Sequence, residues 1–110
     1  MKIDYSKIEQ VNMPAFKGGE KSIDARMFFD GKCRIMKAVV PQGASIGLHT
    51  HETSLEVILI LSGRGRCICN SSEEILMPGD VHYCGNGLSH TLINDGPDPL
   101  EIFAVVPEVR

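Results

Sequence analysis

The chain has 110 residues, 43% of them hydrophobic, a length at which one domain can bury a core but gains from covering more of its surface by association. Eleven basic against fourteen acidic residues give a formal charge of −3 and a pI near 5.7, with no Lys/Arg cluster to track a phosphate backbone, which argues against a nucleic-acid partner. No apolar run approaches the length of a membrane span, and Met1-Lys2-Ile3-Asp4-Tyr5-Ser6-Lys7 lacks a signal-like apolar stretch, so no membrane partner and a cytoplasmic location are expected.

In chain order, residues 1–22 carry the least regular pattern and are read as a segment, with one strand at most, that packs on the barrel or on a partner subunit; residues 23–110 form the domain itself. Strands are predicted at about 23–30, 33–40, 44–51, 54–61, 64–70, 73–77, 81–84, 89–94 and 100–106. Turn residues separate them: Asp30-Gly31, read as the two central residues of a tight hairpin; Pro41-Gln42-Gly43; Ser62-Gly63; Asn70-Ser71-Ser72; Pro78-Gly79, suited to a type II turn; Gly85-Asn86-Gly87; and Asn94-Asp95-Gly96-Pro97. Short antiparallel strands with turns every 8–12 residues predict an all-β sandwich or barrel. In the run Leu55-Glu56-Val57-Ile58-Leu59-Ile60-Leu61, period-two alternation sends Glu56, Ile58 and Ile60 to one face and leaves Val57, Leu59 and Leu61 on the other. That second apolar face needs cover, from another sheet or from a second copy, and a homodimer is expected.

Among the four cysteines, Cys67 and Cys69 stand at i and i+2 on one strand and cannot easily bridge each other, so reduced thiols are expected. Cys33, Cys67 and Cys69 are read as small buried apolar side chains rather than soft metal ligands; Cys84, which leads into the segment of His90, is left open.

Chemistry concentrates elsewhere. His49 and His51 share one face of a strand, a turn near Glu52-Thr53-Ser54 can bring Glu56 across from them, and a Gly-rich loop delivers His90 from another strand. Three imidazoles and a carboxylate suit a divalent first-row metal and leave open positions on an octahedral ion. Without an ion, four polar groups crowded into a barrel interior lack compensation. Glu52 is set aside by its parity relative to His51, and His82 lacks a partner at ligand spacing, which leaves it at most a role behind the ligands. Tyr83, His82 and Arg66 are weak candidates for an acid or base, Tyr83 being more readily a core aromatic, and Asn94 reads as a structural hydrogen-bonding residue.

Written as spacing, Gly43, five residues, His49-x-His51, four residues, Glu56, six residues, Gly63 is followed after fifteen residues by Gly79, five residues, Gly85-x-Gly87, two residues, His90, three residues, Asn94. These two blocks, over residues 43–94, closely resemble the paired motifs of the cupin superfamily, in the short-spaced form of small single-domain bacterial members. The resemblance implies a double-stranded β-helix, or jelly-roll barrel, with His49, His51, Glu56 and His90 as ligands of one divalent transition metal, be it Mn, Fe, Ni, Co, Cu or Zn. One departure is Gly85, where the second motif usually has proline, which predicts a freer loop ahead of His90. Such proteins include dioxygenases, isomerases, lyases and plain binders. The expectation is a metalloenzyme acting on a small oxygen-bearing molecule, as a dioxygenase, isomerase or lyase; the alternative is a non-catalytic small-molecule-binding or sensory module.

Overall fold

A computed structural model describes residues 1–110. Ten strands form two antiparallel sheets: β1 (Val11–Pro14), β2 (Ser22–Phe29), β3 (Cys33–Val40), β4 (Ser45–Thr50), β5 (Glu56–Ser62), β6 (Gly65–Cys69), β7 (Ser72–Leu76), β8 (Val81–Cys84), β9 (Ser89–Ile93) and β10 (Leu100–Pro107). One sheet runs β1-β2-β3-β10-β5-β8 and the other β4-β9-β6-β7. The order is that of a jelly roll: β10 returns from the end of the chain to lie between β3 and β5, and β9 lies between β4 and β6.

Alternation explains the core. Along β5, Glu56, Ile58 and Ile60 are buried while Val57 and Leu59 are only partly so and Leu61 is exposed. Inward positions of β2, β3 and β10 add Ile23, Ala25, Met36, Ala38, Val40, Leu100, Ile102 and Ala104, and the facing sheet contributes Ile46, Cys67, Leu76 and Leu92. Burying a large aliphatic side chain is worth ~1.5–3 kcal/mol, so these contacts hold the sheets face to face. The outward face of the larger sheet is also apolar. Its register sets Tyr83, Val57, Val105, Ile35 and Phe28 in one cross-strand row, with Val81, Leu59 and Phe103 in the next.

The β2–β3 hairpin turns one residue later than its sequence suggests. Asp30 and Cys33 are bonded across the turn, so Gly31 and Lys32 are central, with Gly31 at φ +93°. A positive φ at the first central residue is the type II′ pattern. Asp30 is instead the residue before the turn, its Oδ1 accepting from the amides of Lys32 and Cys33. Around Pro78-Gly79, Asp80 N donates to Met77 O at 2.9 Å, as a type II turn requires. Strand β5 opens at Glu56 rather than 54, since Asn86 captures the carbonyls of His51, Glu52 and Ser54 and holds that stretch as a loop. The same three bonds tie down the Gly85–Gly87 loop.

Of the cysteines, Cys67 and Cys84 are fully buried whereas Cys33 and Cys69 are only half-buried, so the grouping of Cys33 and Cys69 as buried side chains is too strong; all four are free thiols. Residues 11–14 form β1, paired antiparallel with β2. No helix is long and apolar enough to cross a membrane.

Candidate metal centre

A β-bulge aims the first histidine pair. On β4, Ile46 pairs with Leu92 and His49 with His90, so three steps on β4 answer two on β9. The extra residue lets both Ile46 and His49 face the interior, although strict alternation would oppose them. Gly47 stands in the bulge, and a Cβ there would lie 2.1 Å from Lys17 O, so only glycine lets the Phe16–Gly18 turn pack on β4. His51 follows two residues after His49 and faces inward again, 7% exposed. Glu56, the first residue of β5, enters from the opposite sheet.

The four donors converge. Glu56 Oε1 lies 2.8 Å from His90 Nε2, 3.1 Å from His51 Nε2 and 4.0 Å from His49 Nε2. His90 Nε2 lies 3.0 Å from His51 Nε2 and 3.2 Å from His49 Nε2. Bonds of about 2.1 Å put neighbouring donors of an octahedral ion about 3.0 Å apart and opposite donors about 4.2 Å apart. Four of the separations match neighbours, and the His49–Glu56 separation matches an opposite pair. Protons alone cannot satisfy this cluster: His90 Nε2 faces three partners within 3.2 Å and a neutral ring nitrogen offers one proton or one lone pair. A single cation among the donors relieves all of these contacts, so the residues fit a metal ion.

Electrostatics agree with that fit. Burial pushes the Glu56 carboxyl up, but hydrogen bonds from His51 and His90, with their charge, outweigh burial and hold it at about 2. Burial also lowers His49, against the opposing pull of its bond to the Gly47 carbonyl, which keeps the imidazole neutral and able to ligate at physiological pH. His49 Nδ1 donates to Gly47 O at 2.7 Å, and His51 Nδ1 is 2.8 Å from Ser54 Oγ.

The cupin domain family matches residues 36–106. The chain belongs to the cupin family. This cupin is 30% identical over 112 residues to a Thermotoga maritima protein named an oxalate-binding protein, across 96% of this chain and 93% of that one. In the solved structures it resembles one described as a predicted oxalate decarboxylase from Thermotoga maritima, with a TM-score of 0.91 and 29% identity over 99% of this chain and 100% of the other. A sugar phosphate isomerase of the cupin superfamily from Silicibacter pomeroyi shares the fold at a TM-score of 0.79 and 17% identity, over 99% and 76% of the two chains.

Above the cluster this cupin opens a cavity of about 300 Å³, lined by His49, His51 and Glu56 together with Lys17, Arg34, Glu52, Glu108 and the apolar Phe16, Met36, Ile46 and Val106. Arg34 stacks over the Phe29 ring at 4.7 Å, which orients the guanidinium. Sequence reasoning passed over Lys17 and Arg34. Arg34 was within reach, for it shares parity with the inward Met36, Ala38 and Val40 on β3; Lys17 depends on the packing of its turn against Gly47, which no pattern announces.

The weaker sequence candidates separate. Tyr83 is 60% exposed on the outer face of β8, so it is neither a cavity residue nor a core aromatic. Arg66 points outward from β6, bonded to Asp95 at 2.9 Å and Glu73 at 3.2 Å, away from the centre. His82 does have partners: it is 3% exposed, pairs in register with Ile58, and its Nε2 lies 3.1 Å from His90 Nδ1. Glu52 is exposed and outside the cluster, though it reaches the cavity wall. Asn94 is buried and structural, donating to Val40 O and Asp98 O.

Proposed function

We propose that this cupin holds one divalent first-row transition metal on His49, His51, Glu56 and His90 and binds a small oxygen-bearing anion, of the size and charge of a short dicarboxylate such as oxalate, in the cavity above it. The observation that carries this reading is the octahedral spacing of three buried donors and the part-buried His49 beneath a cavity whose wall carries Lys17 and Arg34 beside Glu52 and Glu108. An ion held by His49, His51, Glu56 and His90 would keep coordination positions free for oxygens of a small ligand in the cavity. When bound, the ion supplies Lewis acidity to a coordinated oxygen. Arg34 offers a fork of donors for a carboxylate, and the apolar wall of Phe16, Met36, Ile46 and Val106 excludes water around it. The name of the Thermotoga maritima relative supports the choice of anion.

The test is calorimetric titration of oxalate into protein loaded with Mn(II), Co(II) or Zn(II) and into stripped protein. Saturable binding only to a loaded form supports the reading, and absence of binding to every loaded form contradicts it.

Turnover is the second reading, as a lyase, isomerase or dioxygenase. It is favoured by Glu52 and Glu108, which put carboxyl side chains, a type that can pass protons, among the residues lining the cavity. Substrate-dependent release of carbon dioxide or uptake of oxygen separates it from binding alone. A second copy of the chain covers the apolar outer face of the larger sheet, and four free thiols accord with a reducing compartment such as the cytoplasm.

A further inference from the structure

We propose that Glu74, acting through His82, fixes which nitrogen of His90 is free to bind the metal, and is thus a positioning residue for a ligand it does not contact. The inference rests on the reading of His90 as a ligand. A histidine ligates through a bare nitrogen only if its proton sits on the other one, and the partner of that other nitrogen decides the matter. For His49 the partner is the Gly47 carbonyl, which can only accept, so the proton is fixed on Nδ1. For His90 the partner is His82 Nε2, at 3.1 Å, and two imidazoles facing each other can be arranged with either polarity.

The polarity is set one residue further out. His82 Nδ1 lies 2.8 Å from Glu74 Oε1. An ionised carboxylate accepts only, so His82 carries its proton on Nδ1 and presents a lone pair at Nε2. That lone pair accepts from His90 Nδ1–H, so when a metal displaces the proton that His90 Nε2 shares with Glu56 in the metal-free protein, Nε2 is left bare toward Glu56, His51 and His49. The reverse polarity would set a lone pair of His82 against the carboxylate at hydrogen-bond distance. Packing keeps the chain in place: His82 is 3% exposed, its ring lies within 25° of the plane of His90 with centroids 5.2 Å apart, and Cys67 Sγ sits 3.4 Å from Nε2. Glu74 stands on the edge strand β7 with its side chain 52% exposed, and His82 stands on β8, the edge of the other sheet. The relay therefore crosses the gap between the sheets from solvent to the centre.

Because Glu74 is on the surface, Glu74→Ala removes the acceptor without opening the core. Two measurements decide: zinc affinity by chelator competition, and the imidazole N–H resonances of His82 and His90 in zinc-loaded protein by 1H–15N NMR. In the wild type both residues show a slowly exchanging Nδ1–H. In Glu74→Ala the His82 signal is lost to solvent exchange and zinc binds ~10-fold or more weakly, within the range usual for loss of such a partner. Glu74→Gln, whose side-chain oxygen still accepts, restores the signal and most of the affinity. Unchanged resonances with affinity within about twofold in Glu74→Ala overturn the proposal. So does a second zinc per chain held on Cys67, His82 and His90, which cluster closely enough to compete. Failure of the wild type to take up zinc, cobalt or manganese overturns instead the metal reading on which the proposal rests.

Discussion

His49 and His90 are cross-strand partners, directly opposite on β4 and β9, with their Nε2 atoms 3.2 Å apart. The pairing exists because one extra residue at Gly47-Leu48 shifts the register of β4 just before His49. Leu48, the residue thrown outward, is 68% exposed, and that cost in solvent-facing apolar surface accompanies the inward turn of His49. Gly47→Ala forces a Cβ into Lys17 O and should displace both the Phe16–Gly18 turn and the bulge.

The buried carboxylate makes metal-free stability depend on acid. Glu56 is held below its ordinary value, at about 2, so its contribution is present above its unfolded value near 4.5 and is lost as pH falls through the folded value. The shift corresponds to about 3 kcal/mol. Denaturant unfolding of metal-free wild type and Glu56→Gln should give stabilities that converge as pH is lowered from 5 toward 2.5; a constant gap would show that the carboxylate is not held this way.

Arg34 should govern the anion and not the ion. Loss of a charge-assisted hydrogen bond costs ~1.5–3 kcal/mol, so Arg34→Ala is expected to weaken oxalate binding ~10- to ~100-fold. Metal content stays as in the wild type. Equal loss of metal and anion, measured by elemental analysis beside calorimetry, would place Arg34 in the scaffold instead.

The apolar row on the larger sheet predicts association. Light scattering at micromolar concentration should give about twice the 12.0 kDa chain mass. Leu59→Asp, in the middle of the face and outside the cavity, should halve the mass while leaving metal uptake intact. A monomeric wild type at that concentration contradicts the interface.

Burial pushes the thiols of Cys67 and Cys84 up to about 12, so both are protonated at pH 8. Iodoacetamide should leave these two unmodified in the folded protein and label all four cysteines once it is unfolded. Rapid labelling of either in the native state would mean that the barrel opens at that end.

Much of this was legible in the sequence. Period-two alternation put Glu56, Ile58 and Ile60 inside, and two spaced motifs brought His49, His51, Glu56 and His90 together without any alignment of flanking strands. What escaped it was relational. The alternation of Val81, His82, Tyr83 and Cys84 was there to be read, but which pair faced inward followed only from the register of β8 on β5, where Ile58 meets His82 and Glu56 meets Cys84. Glu74, in an exposed strand, acquires meaning only because two sheet edges meet at His82. The hairpin at Asp30-Gly31 slipped by one for a local reason, since the Asp30 side chain caps the turn from outside it.

The central claim is tested most directly by counting metal ions per chain in wild type, His51→Ala and Glu56→Ala, purified alike and dialysed against the same divalent metal, with circular dichroism to confirm the barrel. The expected result is about one ion per chain in the wild type and a small fraction of that in both folded variants, a larger loss than the ~10- to ~100-fold in affinity that follows from disturbing an outer partner. Full occupancy in both variants would contradict the assignment of His51 and Glu56 as ligands.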